Sequence, residues 1–239
     1  MLAAAGFMAG GVNAVAGGGS LISFPALLAV GFPSITANVT NAVAVLPGYL
    51  GGSVAYRREL EGQRRRAYSL ALTSAAGALL GGVLLLAGSE ALFEAIVPFL
   101  LLGSCALLAA QPALSRVTRP AGERSVRLHA MTFAAAVYGG YFGAGLGILL
   151  LAVLALCIED ELQRLNALKS VLSLLIGAVS VAYFAFDAPI EWAAAGLMAV
   201  TSLAGGHVGV GFARRLDEQL LRALVIALGV TVAAVLLVS

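Results

Sequence analysis

Two apolar stretches of this chain are each interrupted by a cluster of glycines, and the interruptions fall at matching places in its two halves. The first stretch runs from Gly10-Gly11 through Ala16-Gly17-Gly18-Gly19-Ser20, and its half continues to Ser53-Val54-Ala55-Tyr56. The second runs from Gly139-Gly140 through Gly143-Ala144-Gly145-Leu146-Gly147, and its half continues to Ser180-Val181-Ala182-Tyr183. The closing tetrapeptides are identical. A helix broken inside hydrocarbon leaves backbone polar groups unpaired, which is tolerated only where protein buries them or where they line a wet cavity. Breaks at corresponding positions of two halves therefore point to a binding site near the middle of a bilayer.

Composition fixes the class. Hydrophobic residues make up 61% of the chain and charged residues 11%, against roughly 45–50% and about 25% in soluble domains. Several apolar runs approach the roughly 20 residues that cross about 30 Å of hydrocarbon as helix. The chain reads as an all-α polytopic membrane protein in contact with the lipid bilayer. A β-barrel would show short alternating segments instead. A net charge of +2 with no basic domain offers nothing to nucleic acid. Cys105 and Cys157 both lie in apolar stretches, which argues against a disulfide framework. Met1 leads straight into Leu2-Ala3-Ala4-Ala5 without a positive region, so the first apolar stretch is expected to be retained.

Continuous spans are predicted over 35–56, 67–87, 91–110, 166–186, 192–212 and 220–238. The interrupted stretches cover 2–30 and 126–157. Neither piece of the first is long enough to span: 2–16 is about 22 Å as helix and 20–30 about 16 Å. The arginines then set the orientation. Arg57, Arg58, Arg64, Arg65 and Arg66 share one loop, Arg116, Arg119, Arg124 and Arg127 another, and Arg214, Arg215 and Arg222 mark a third. The loops at Gly88-Ser89-Glu90 and Asp187-Ala188-Pro189 carry no basic residue. By the positive-inside rule the first three are cytoplasmic and the last two external. Segment 35–56 then starts outside and 166–186 starts inside. Segment 126–157 starts and ends inside, as a folded-back hairpin, and 2–30 is the same device entered from outside.

The expected architecture is two inverted repeats, each a glycine-broken helical hairpin plus three transmembrane helices. The first occupies 1–110, a cytoplasmic linker 111–125, and the second 126–239, with both termini outside. The plainer reading of the glycines is close helix packing, which also suits Gly48/Gly52, Gly77/Gly81 and Gly205/Gly209.

The half-helix starting at Ser20 aims its N-terminus at the first break, and one starting near Ile148 aims its own at the second. Such ends carry free N–H groups and roughly half a positive charge, which suits an anion and needs no metal or cofactor. The candidate substrate-binding residues are Asn13, Gly17, Gly18, Gly19 and Ser20; Asn38, Thr40 and Asn41; Gly143, Gly145 and Gly147; and Asn166 and Lys169. Ser23 follows the first break. Asn and Thr in apolar helices also serve simply to bond neighbouring helices. Lys169 is the only lysine. Three residues into its predicted span, it either neutralises an anion, snorkels to the interface or bridges to Glu159, Asp160 or Glu161. A lysine at the bilayer centre costs about 2.5–3.5 kcal/mol on insertion scales. His207, in Gly205-Gly206-His207-Val208-Gly209, reads either as a hydrogen-bonded residue at a helix crossing or as a proton relay. No P-loop, metal-spaced His/Cys set or nucleophile–base pair is visible, so no enzyme is indicated.

Gly17-Gly18-Gly19-Ser20-Leu21-Ile22-Ser23-Phe24-Pro25 and Ala37-Asn38-Val39-Thr40-Asn41 carry a family resemblance, together with Pro47-Gly48-Tyr49 and Tyr56-Arg57-Arg58-Glu59-Leu60. Leu165-Asn166-Ala167-Leu168-Lys169 extends it into the second half. The chain resembles the TauE/SafE family of sulfite and organosulfonate exporters over nearly its whole length. That resemblance implies an integral, multi-pass transporter of the bacterial or archaeal inner membrane for small anions, often sulfur-containing. It implies no dedicated ATPase, hence secondary transport driven by the proton gradient or membrane potential. Competing expectations are an anion channel built on the same dipoles and a non-transporting membrane scaffold subunit.

Overall fold

The computed structural model of the chain describes residues 1–15, 18–114, 125–213 and 218–238. Ten helices account for nearly all of them, and no strand occurs among the described residues. In order they are α1 (Leu2–Val15), α2 (Ser20–Ala29), α3 (Ser34–Ala55), α4 (Arg64–Ala87) and α5 (Glu90–Leu114), then α6 (Ser125–Tyr141), α7 (Leu146–Cys157), α8 (Leu162–Asp187), α9 (Trp192–Ala213) and α10 (Glu218–Val238). α4, α5 and α8 are each long and apolar enough to cross a membrane. The pieces beside the breaks are short: α1 and α2 have 14 and 10 residues, α6 and α7 have 17 and 12. At 1.5 Å per residue, α2 is about 15 Å long and α7 about 18 Å.

α8 begins earlier than its apolar run suggests. Asp160 pairs with Arg164 one turn later, Nε to Oδ1 2.8 Å, and this supports a charged first turn ahead of the apolar run. Lys169 thus lies two turns inside α8 rather than three residues from its start. Gly17, Arg116, Arg119, Arg124, Arg214, Arg215 and the side chain of His207 fall outside what the structure describes.

The helices pair in matched sets. α1 packs on α9 and α6 on α4; α3 packs on α9 and α8 on α4; α2 packs on α10 and α7 on α5. α3 meets α8 and α5 meets α10. The crossings of α1 with α9 and of α4 with α6 are made by glycine. A Cβ on Gly10 or Gly205 would overlap the carbonyl oxygen of Ser202 or Phe7, and one on Gly81 or Gly140 that of Val137 or Ala78. Backbones this close gain dispersion contacts that lipid cannot supply, which drives association where no hydrophobic effect operates.

Two apolar clusters fill the interior. One joins Phe24, Phe93, Leu101, Phe142 and Phe184. The other joins Leu70, Leu128, Leu150, Leu165 and Leu172. The outer surface carries Leu72, Leu84, Phe99, Phe186 and Val200, as a lipid-facing surface requires.

Candidate functional site

The two breaks use glycine for different reasons. At the second, Gly143 and Gly145 adopt φ of 78° and 73°, the left-handed region that side chains disfavour. At the first, Gly19 has an ordinary φ of −58°, and what it needs is space: a Cβ there would strike the Ala9 carbonyl oxygen and sit 2.9 Å from the Asn13 Cγ. α2 therefore folds back directly onto α1. Gly18 is less confined, since its Cβ would meet only side-chain carbons, the nearest Leu108 Cδ2 at 3.3 Å.

Hydrogen bonds complete each turn. The Gly19 N–H donates to Asn13 Oδ1 at 3.0 Å. Ser23 Oγ donates to the Gly19 carbonyl at 3.2 Å and to Asn41 Oδ1, tying α2 to α3. At the second break the backbone groups that side chains pair are carbonyls. Tyr141 O accepts from Asn38 Nδ2 at 2.9 Å, and Ala144 O accepts from Tyr138 Oη at 2.6 Å and Ser104 Oγ at 3.0 Å. These bonds remove the cost of burying an unpaired polar group, about 1–3 kcal/mol each. The Gly147 N–H, in the first turn of α7, has no hydrogen-bond partner among the described residues.

Lys169 lies beside that turn. A Cβ on Gly147 would be 3.9 Å from Lys169 Cδ, and Lys169 Nζ donates to Asn166 Oδ1 at 3.0 Å. Asp160 is instead engaged by Arg66 and Arg164. The candidates thus form two groups: Asn13, Gly19, Ser20 and Asn41 around the first break, and Gly145, Gly147, Asn166 and Lys169 around the start of α7. Asn38 reaches from α3 to the end of α6. Thr40 turns elsewhere, its Oγ1 accepting the Glu191 N–H at 3.0 Å.

α5 brings the breaks together. Leu108 packs at Gly18 and Ser104 at Gly145, whose Cβ would lie 3.7 Å from Ser104 Cβ. Four residues separate these contacts along α5, about 6 Å of helix. Phe24 of α2 also packs edge-on against Phe142 in the second break, with ring centroids 5.3 Å apart. Ser104 and Tyr138 were not among the sequence candidates. Their signal is a lone hydroxyl in an apolar span, which needs an acceptor and finds one in a carbonyl freed by the break. Among the described residues no cluster of three His, Cys, Asp or Glu side chains is placed to hold a metal.

The family described as "Sulfite exporter TauE/SafE" matches residues 2–236. A "Probable membrane transporter protein" of Haemophilus influenzae is 27% identical over 227 residues, 92% of this chain and 87% of the relative. A "Probable membrane transporter protein ORF9" of Sinorhizobium sp is 26% identical over 239 residues, 98% of this chain and 90% of the relative. "Probable membrane transporter protein YfcA" of Escherichia coli K12 is 24% identical over 238 residues, 96% of this chain and 86% of the relative. No solved structure matches. With broken helices, apolar spans and a family match from end to end, the chain belongs to the sulfite exporter TauE/SafE family of membrane transporters.

Proposed function

We propose that the protein is a secondary transporter of small anions, sulfite or an organosulfonate by class, built from two inverted repeats and working by alternating access in the inner membrane. The observation that carries this reading is the meeting of both breaks on one turn of α5, at Ser104 and Leu108. An unpaired Gly147 N–H, the Asn166 amide and the Lys169 ammonium beside it offer donors and positive charge to an oxyanion. The second break covers its carbonyls with Asn38, Ser104 and Tyr138, so its polar face is electropositive.

The matched helix pairings support the repeats: exchanging α1–α5 with α6–α10 leaves the set of contacts described above unchanged. Inverted repeats permit one rigid half to rock against the other around a fixed site. The proton gradient or membrane potential would drive the cycle. The arginine distribution supports a reading with both chain ends outside.

The test is thermal stability of purified protein with sulfite, sulfate, sulfoacetate, taurine and acetate. A ligand that binds only the folded state stabilises it by RT ln(1 + [L]/Kd), about 2.7 kcal/mol at a hundredfold excess over Kd. A selective shift with a sulfur oxyanion that disappears in Lys169→Met supports the site. Equal response to every anion argues against it.

A further inference from the structure

At one end of the molecule the two halves are joined by charge. Asp160, between α7 and α8, accepts from Arg66 Nη1 of α4 at 3.2 Å and from Arg164 Nε of α8 at 2.8 Å. Arg164 Nη1 donates back to the Glu61 carbonyl at 3.2 Å, in the turn that precedes α4. The N-cap of α4 completes the contact: Gln63 is 2% exposed and its Nε2 donates to the carbonyls of Glu59 and Arg164 at 2.9 and 3.0 Å. Gly62 makes the turn into that cap with φ 81°. Three bonds among five residues thus bind the α3–α4 turn and the start of α4 to the α7–α8 corner, with the Asp160–Arg164 and Gln63–Glu59 bonds bracing either side.

Among the described residues the opposite end has no counterpart. Its loops, at 30–34, 88–90 and 188–191, contain no Lys or Arg. There the halves share a neutral bond, Glu191 N–H to Thr40 Oγ1 at 3.0 Å, while the Ile35 N–H to Glu90 Oε1 bond at 2.8 Å stays within the first half. Beneath the charged contact lie Leu70 of α4 and Leu165 and Leu168 of α8, all buried in one cluster. Separation of α4 from α8 there would uncover the path to Lys169, one turn deeper than Leu165 on α8.

We propose that Arg66, Asp160 and Arg164, with Gln63, form an ionic latch that holds the arginine-rich end of the two halves shut, and that opening toward that side requires its release. Asp160 is 16% exposed and Arg66 28%, so water and salt reach the pair. The latch rests on the reading of two halves that rock, and its test is made independent of substrate.

The measurement is labelling of Leu165→Cys, 3% exposed in the closed form, by a membrane-impermeant maleimide in inside-out vesicles, with Cys105 and Cys157 replaced by alanine. Asp160→Asn and Arg66→Gln each raise the labelling rate about fivefold, the scale of one partly exposed ion pair. Arg65→Gln, on an exposed side chain of the same turn, leaves it unchanged. With Arg66 and Asp160 intact, raising salt from 0.1 M to 1 M shortens the screening length from about 10 Å to about 3 Å and accelerates labelling. That arm needs no change to the latch, so it decides the matter if Asp160→Asn fails to fold. Rates that respond to neither charge removal nor salt overturn the latch. Labelling that responds while reconstituted protein moves neither sulfite nor an organosulfonate keeps the latch and sinks the transporter reading. Sulfite flux with unresponsive labelling sinks the latch alone.

Discussion

The side-chain carbonyl of Asn13 accepts the backbone N–H of Gly19 at 3.0 Å, bridging the first break from α1 to the N-cap of α2. The bond uses a helix-end donor that would otherwise face the site. At the second break the side chains do the reverse, covering carbonyls and leaving the Gly147 N–H open. The two breaks are alike in sequence pattern, and different backbone groups find side-chain partners at each: the Gly19 N–H and carbonyl at the first, the Tyr141 and Ala144 carbonyls at the second.

Steric confinement separates the two neighbouring glycines of the first break. Gly19→Ala forces a methyl into the Ala9 carbonyl and is expected to destabilise the protein by about 1–3 kcal/mol, the usual cost of overpacking. Gly18→Ala meets only movable leucine carbons and should cost well under that. Thermal midpoints of the two purified variants check the order, and equal losses would refute the account of Gly19.

Removing both hydroxyls at Ala144, in Ser104→Ala/Tyr138→Phe, leaves a buried carbonyl without a donor. The expected loss is about 1–3 kcal/mol for the pair, with each single change costing less because the other hydroxyl remains. A double-mutant cycle on thermal stability measures this. Strict additivity would show that the hydroxyls do not share one acceptor.

Much of this architecture is legible in the sequence because glycine clusters and arginine-rich turns are local signals. α2 starts at Ser20 as the glycines indicate, and α3 to α5 begin within three residues of the apolar runs. The start of α8 was not legible from hydropathy, since its first turn is charged and held by the Asp160–Arg164 pair. Ser104 and Tyr138 were missed for another reason. Their partnership joins positions 34 apart in the chain, and nothing local to either names the other. Asn38 and Thr40 stand out as polar residues, but only the folded chain shows that each holds a backbone group of another element.

Lys169→Met should raise the KM for sulfite flux in proteoliposomes about tenfold or more, since it deletes the one lysine beside the α7 N-terminus. Lys169→Arg should recover part of the loss, because it keeps the charge and changes the geometry. Unchanged KM in Lys169→Met, with normal insertion, would remove the lysine from the site.

Orientation is checked by two introduced cysteines, one at an exposed position and one at a half-buried one. Gln163→Cys, at the exposed start of α8, is expected to label from the cytoplasmic side, and Phe32→Cys, in the α2–α3 corner, from outside. Labelling of both from one side would break the inverted arrangement.

The glycine crossings constrain contacts rather than addresses. Gly6 of α1 faces Thr201 of α9, whereas in the matched crossing the glycine is Gly77 of α4 and the residue facing it, Ala136, lies on α6. The missing side chain has changed helices while the close approach has stayed. A methyl added at Gly6 or Gly77 would also meet the backbone carbonyl of Met198 or Phe133, so trimming the opposite side chain relieves such a variant only in part, and the closeness of the two backbones sets the limit.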